Sequence, residues 1–221
     1  MAVRLSTRIS IRWPPEPASE PTDTLVMSVG NYYVDLRVEK SDETIDWAMA
    51  GERIILSQEP LKCTWTHEID SRGFEEPDVG SFEDLPNGDS LEKGAMANPD
   101  KDNVVSDYEE VWRLLPVAAG SPPAWIAKSA EGQGSTFLGR VGNHFLALKQ
   151  PKQGFFCALR QDWNEAESCW ITKYAVNADD LPTADREDKT AFDGEFDWTV
   201  GAAVTICGKQ YKLLAREGIG N

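Results

Sequence analysis

The residues with the most chemical potential lie between Cys63 and Arg72, in the run Cys63-Thr64-Trp65-Thr66-His67-Glu68-Ile69-Asp70-Ser71-Arg72. The run holds one of only two histidines, with acidic and basic residues close by. His67 and Asp70 could form an acid–base pair if a strand ends at Ile69 and Asp70 turns back toward the ring. The plainer reading leaves His67 on the outward face of that strand with Trp65 and makes Asp70-Ser71 the start of a turn. A second candidate is Glu110 in Tyr108-Glu109-Glu110-Val111-Trp112-Arg113, where Tyr108, Glu110 and Trp112 share one strand face. A carboxylate facing inward there would be costly unless paired, so its burial would mark a site. An edge strand with a mixed face explains the same alternation without chemistry. The second histidine, His144, joins His67, Asp70 and Glu110 as a candidate for proton transfer.

Several chemistries are excluded. Gly-x-Ser-x-Gly, Walker and Gly-x-Gly-x-x-Gly signatures are missing. Two histidines and four scattered cysteines (Cys63, Cys157, Cys169, Cys207) do not make a zinc site, and no Asp-x-Asp-x-Asp-Gly loop offers a calcium site. No metal and no cofactor are expected. The cysteines show no Cys-x-x-Cys spacing and read as reduced, buried thiols, with a Cys157–Cys169 bridge as the alternative.

The elements that must position these residues come in duplicate. Thr24 to Arg37 aligns without a gap on Thr136 to Lys149, an offset of 136 − 24 = 112 that Trp13 and Trp125 share. Thr24/Thr136, Val29/Val141, Gly30/Gly142, Asn31/Asn143 and Leu36/Leu148 are identical pairs. A period this long means two copies of one small domain. Gly30-Asn31 and Gly142-Asn143 are hairpin turns by type. That register puts Leu25, Met27, Val29, Tyr32, Val34 and Leu36 on one face, expected to be inward. Val26, Ser28, Tyr33, Asp35 and Arg37 fall on the other, expected to be partly exposed. In the second copy Phe137, Gly139, Val141, His144, Leu146 and Leu148 would point inward. Met27 becomes Gly139 and Tyr32 becomes His144, so the second unit is expected to be the roomier one. A ligand would then meet Tyr32, Met27, Phe137, Gly139, His144, Leu146, Trp65, Tyr108 and Trp112.

Other strands are expected over Ser6–Trp13, Arg53–Leu56, Leu61–Ile69, Leu91–Met96, Tyr108–Leu115, Ala124–Ala127, Phe155–Gln161, Ser168–Val176, Trp198–Ile206 and Lys209–Ala215. A short helix is expected over Asp42–Ala50, capped by Ser41 or Asp42. Short, evenly spaced strands read as all-β barrels or sandwiches. Pro116 to Pro123 is a linker by composition, which divides the chain into residues 1–117 and 118–221. Glu68 to Glu110 carries fourteen acidic residues against three basic ones and is expected to form solvated loops, as is Asp179 to Asp197.

A net charge of −15 argues against nucleic acid and anionic membrane surfaces as partners. The start of the chain lacks the apolar core of a signal peptide, and no apolar run is long enough to span a membrane. Ser6 to Trp13, Val34-Asp35-Leu36-Arg37, Asp46-Trp47-Ala48, Trp65-Thr66-His67, Asp70-Ser71, Leu91-Glu92-Lys93-Gly94 and Asp107 to Arg113 together resemble the fungal Hri1 protein family, over essentially the whole chain. The resemblance implies two lipocalin-like (calycin-type) antiparallel barrels in tandem and a cytoplasmic location, with the nucleus as a second one. It brings no catalytic residues. The function expected is binding of a hydrophobic small molecule or a protein partner. A cofactor-independent cyclase or isomerase of fungal biosynthesis is the alternative, and an acidic scaffold the third.

Overall fold

The computed structural model describes residues 3–129, 134–184, 192 and 194–219. Their strands form two antiparallel sheets. The first contains β1 (Arg4–Arg12), β2 (Thr22–Val29), β3 (Tyr32–Glu39), β4 (Ile45–Gln58), β5 (Leu61–Trp65), β6 (Ile69–Asp70), β7 (Asp78–Asp84), β8 (Ser90–Asn98) and β9 (Val104–Leu114). These strands run up and down in the spatial order β3-β2-β1-β9-β8-β7-β5-β4, and β4 pairs back onto β3. The result is a closed eight-stranded barrel, with the short β6 added to the edge of β4. Closure leaves no free sheet edge in the wall. The second sheet has seven strands in the order β14-β13-β12-β11-β10-β16-β15. They are β10 (Ala124–Ser129), β11 (Gly134–Val141), β12 (His144–Pro151), β13 (Cys157–Asn164), β14 (Cys169–Val176), β15 (Ala203–Ile206) and β16 (Lys209–Glu217). No helix among the described residues is long and apolar enough to cross a membrane.

Both repeat hairpins form in the expected register: Val29 pairs with Tyr32, Met27 with Val34 and Leu25 with Leu36, and Val141 pairs with His144. Gly30 and Gly142 take φ of 59° and 55° at the first central turn position, a conformation that glycine adopts without strain. The hairpins do not turn their apolar faces into their own barrels. Leu25, Met27, Val29, Val34 and Leu36 instead meet Ile126, Phe137, Val141, Leu146 and Leu148 of the second sheet in one shared core. The duplicated pattern therefore encodes the seam between the sheets. A Cβ on Gly139 would lie 3.3 Å from Met27 Sδ and 3.4 Å from Val34 Cγ2. The methionine of one copy fills the space that the glycine of the other leaves.

Three expectations are corrected. Residues 45–50 are strand, not helix. Asp42 Oδ1 accepts the Thr44 amide at 3.0 Å and Glu43 takes a positive φ, so Ser41-Asp42 is a turn rather than a cap. Trp47 and Met49 face into the barrel while Ala48 and Ala50 face the second sheet, and burial on both faces erases the period-two signal. The acidic stretch from Glu68 to Glu110 is not a set of solvated loops: it contains β7 and β8, and Asp70, Asp89, Glu92 and Glu110 are buried. Of the four free cysteines only Cys63 is buried, and Cys169 is exposed.

Candidate functional site

The face of β3 that looked half-exposed in sequence is the barrel's inner wall. Tyr33, Asp35 and Arg37 point inward, and their cross-strand neighbours Gly51, Met49 and Trp47 on β4 share that side. The same alternation continues round the wall. It brings Arg53 and Trp65, Asp78 and Phe82, Glu92, and then Tyr108, Glu110 and Trp112 onto a cavity of about 190 Å³. Its walls mix aromatic and thioether side chains, Tyr33, Trp47, Trp65, Trp112, Met49 and Met96 among them, with charged ones.

One part of the interior is a buried ion-pair network. Glu110 Oε1 accepts from Arg8 Nη1 at 2.6 Å and from Arg37 Nη1 at 3.2 Å. Arg37 also donates from Nε and Nη2 to Asp35 Oδ2 at 3.1 and 2.9 Å, and Arg8 Nε donates to Glu20 Oε2 at 2.7 Å. The Arg37 guanidinium stands 4.9 Å from the Trp47 ring centre, within cation–π range. Arg8, Asp35, Arg37 and Glu110 are each at most 7% exposed, so the charges must satisfy one another. Burial pushes the Asp35 carboxyl above its ordinary range, although Arg37 opposes the shift. Its Oδ1 has no hydrogen-bond partner among the described residues.

Beside this network lies a second buried acid. Glu92 on β8 pairs directly across the sheet with Glu110 on β9. Burial first, and the Glu110 charge second, raise its carboxyl to about 8, so Glu92 is mostly neutral at pH 7. The Tyr108 hydroxyl donates to Glu92 Oε1 at 2.8 Å. Two glycines make room for the pair. A Cβ on Gly80 would fall 2.3 Å from Glu92 Oε1, and one on Gly94 would fall 2.6 Å from the Tyr108 hydroxyl. Elsewhere on the wall stand Arg4 and Arg53. Arg53 Nη2 lies 3.0 Å from Cys63 Sγ, and neither arginine has a carboxylate partner among the described residues.

The other face of the second sheet carries a packed hydrophobic cluster. Trp125, Phe145, Trp170, Phe192 and Trp198 form one aromatic cluster, with Trp125–Trp198 and Phe145–Phe192 ring centres both 5.3 Å apart. Trp125 Nε1 donates to Glu195 Oε2 at 3.0 Å, and Arg140 pairs with the same carboxylate. Among the described residues no group of three or more His, Cys, Asp or Glu side chains is placed to hold a metal ion.

The sequence matches the family described as Protein HRI1 over residues 4–207, which is most of the chain. The chain belongs to the HRI1 family. A solved structure with the same fold is that of an uncharacterized Saccharomyces cerevisiae protein, YLR301w. It is 13% identical, with a TM-score of 0.78 over 99% of this chain and 100% of that one. No curated protein matches the sequence significantly.

In this HRI1-family protein the residues singled out from sequence separate into four groups. Trp65, Tyr108, Glu110 and Trp112 line the cavity. Met27, Phe137, Gly139 and Leu146 lie in the seam between the sheets, with Tyr32 packed against it. His144 stands two residues from that seam's Leu146 on the same strand, half-buried, bonded through Nδ1 to Asp162 Oδ1 at 2.7 Å. Among the described residues the expected room at Gly139 is taken up by Met27, and aromatic rings pack the other face.

His67 and Asp70 do meet, at 2.6 Å between Nδ1 and Oδ2, while His67 Nε2 bonds Asp78 Oδ2 at 3.1 Å. Burial opposes a charge on this ring, but the two carboxylates outweigh it and raise its pKa to about 9. With both nitrogens tied and the side chain fully buried, His67 is a fixed imidazolium rather than a proton shuttle. It is neither outward-facing nor free. Asp70 also accepts Trp47 Nε1 at 2.9 Å, and its amide donates to Gln150 of the second sheet at 2.9 Å. The cluster thus braces the barrel wall against the seam.

The cavity residues missed from sequence include Arg4, Tyr33, Asp35, Arg37, Arg53 and Glu92. A signal was present: Asp35 and Arg37 alternate with Val34, Leu36 and Val38, which is what a strand with an apolar outer contact and a charged interior looks like.

Proposed function

We propose that the first barrel is a container for a small amphiphilic molecule. The observation that carries this reading is the closed barrel around a cavity of about 190 Å³, walled by aromatic and methionine side chains together with charged ones. A wall of this composition offers stacking and dispersion contact to an apolar body and a few fixed polar groups to orient it, the usual division of labour in a ligand site. The unpartnered Asp35 Oδ1 is one such group, since it would take a hydrogen bond from a ligand hydroxyl or amine. The second sheet, in this reading, is a support that braces the barrel wall through the shared core. Residues 1–117 and 118–221 would then be a binding unit and a bracing unit. The net charge of −15 supports a protein that keeps away from nucleic acid.

The test is a cavity-filling substitution. Val26 lines the cavity, and Val26→Trp places an indole in it. Mass spectrometry of the natively purified protein should detect a bound small molecule in the wild type and none in Val26→Trp. Equal recovery of any such molecule from both proteins would refute the assignment to this cavity.

A further inference from the structure

We propose that Arg4 and Arg53 form an anion subsite in the first-barrel cavity, and that the ligand pairs a ring-sized apolar body with one carboxylate or phosphate group. The proposal rests on the reading of that barrel as a container. Arg37 and Arg113, the other two arginines that line the cavity, each have a carboxylate: Asp35 and Glu110 for Arg37, and Asp89 for Arg113. Arg4 has no such partner among the described residues, and the hydrogen bond of Arg53 goes to the thiol of Cys63, a weak acceptor. Burial holds Arg53 below the usual arginine range; Cys63 opposes this, the neighbouring Arg4 charge adds to it, and the Glu92 carboxyl opposes it more weakly.

Two half-buried cations without a counter-charge are an unfavourable arrangement, and an anion placed between them relieves both. A shortage of acids does not explain it, because the chain has 37 acidic residues against 22 basic ones. Of the five acids on the cavity, Asp84 is exposed at the end of β7, and the four others are committed or neutral. Asp35 and Glu110 are held by Arg37 and Arg8, Asp78 is bonded to His67, and Glu92 is largely neutral. An incoming anion therefore finds its attraction at Arg4 and Arg53. Guanidinium groups suit this role, since their donors match the oxygens of a carboxylate or phosphate.

The rest of the wall indicates what is attached to the anion. Trp65 pairs with Arg53 across β4 and β5, and Tyr33 and Met49 lie further along the same wall. Met49, beside Asp35, is four residues from Arg53 on β4, or about 13 Å of extended strand. Between the cationic pair and the Asp35 carboxylate, an aromatic or alicyclic body rests on rings and thioethers.

Titration calorimetry of the full chain with 2-naphthoate, 2-naphthyl phosphate and the uncharged 2-naphthamide tests the proposal. At least one anion should bind roughly tenfold or more tighter than the amide, the scale of a charged hydrogen bond. Arg53→Gln and Arg4→Gln should each remove most of that preference. The stronger of the two anions identifies carboxylate or phosphate as the natural group. Equal binding of amide and anions, or a preference that survives both substitutions, overturns the anion subsite and leaves the container standing. If none of the three binds, the container reading falls with it.

Discussion

Replacing Glu92 with glutamine removes a carboxyl ionisation that the barrel interior suppresses. The glutamine keeps a carbonyl to accept the Tyr108 hydroxyl but cannot take a charge. The Glu92 carboxyl sits at about 8 in the folded protein against an ordinary 4.5. The folded state therefore holds a proton that the unfolded chain releases, and stability falls as pH rises between those two values. At about 1.4 kcal/mol per unit, the 3.5-unit displacement amounts to on the order of 5 kcal/mol, of which roughly 4 kcal/mol develops between pH 5 and pH 8. Urea unfolding of wild type and Glu92→Gln across that range isolates the contribution, because every other titrating group is common to both. The wild type should lose about 4 kcal/mol relative to the variant from pH 5 to pH 8. Parallel curves, with a difference constant to within about 1 kcal/mol, would show that Glu92 is not buried beside Glu110 as described.

The remaining predictions concern the supports of the cavity. His67, raised from 6.5 to about 9, contributes stability that is fully present below pH 6.5 and is lost as pH rises through 9. Its ring resonances should titrate near pH 9 by NMR, and His67→Ala should destabilise by about 3 kcal/mol or more, because Asp70 and Asp78 lose their shared cation. A ring titrating near pH 6.5 would contradict this. At the seam, Met27→Ala should cost about 2–5 kcal/mol and Gly139→Leu about 1–3 kcal/mol in urea unfolding. The double variant should cost less than the sum, since the leucine fills the space the methionine leaves, and strict additivity would argue against direct contact.

How much of this was legible in the sequence depends on the residue. The offset of 112, the Gly-Asn turns and the hairpin register follow from spacing and turn chemistry alone, and the structure has each of them. A period-two pattern shows that the two faces of a strand differ, but it does not say which face lies inside a barrel. Both faces of β3 are buried, one against the second sheet and one around charges, so the apolar side was assigned inward. That one inversion moved Met27, Phe137, Gly139 and Leu146 into an expected pocket and kept Asp35 and Arg37 out of it. Glu92 was hidden differently. Its burial depends on Gly80, Gly94 and Tyr108 converging across three strands, and an acidic run in one dimension looks the same whether it is solvated or enclosed.

The most direct measurement of the central claim uses the methionine methyls as reporters. Met49 and Met96 line the first-barrel cavity, whereas Met27 lies in the seam against Gly139. In methyl-labelled protein titrated with 2-naphthoate, the Met49 and Met96 signals should shift together and saturably while Met27 stays in place. A response confined to Met27, or no response at Met49 and Met96 over a titration that calorimetry shows to be binding, would contradict a ligand site inside the first barrel.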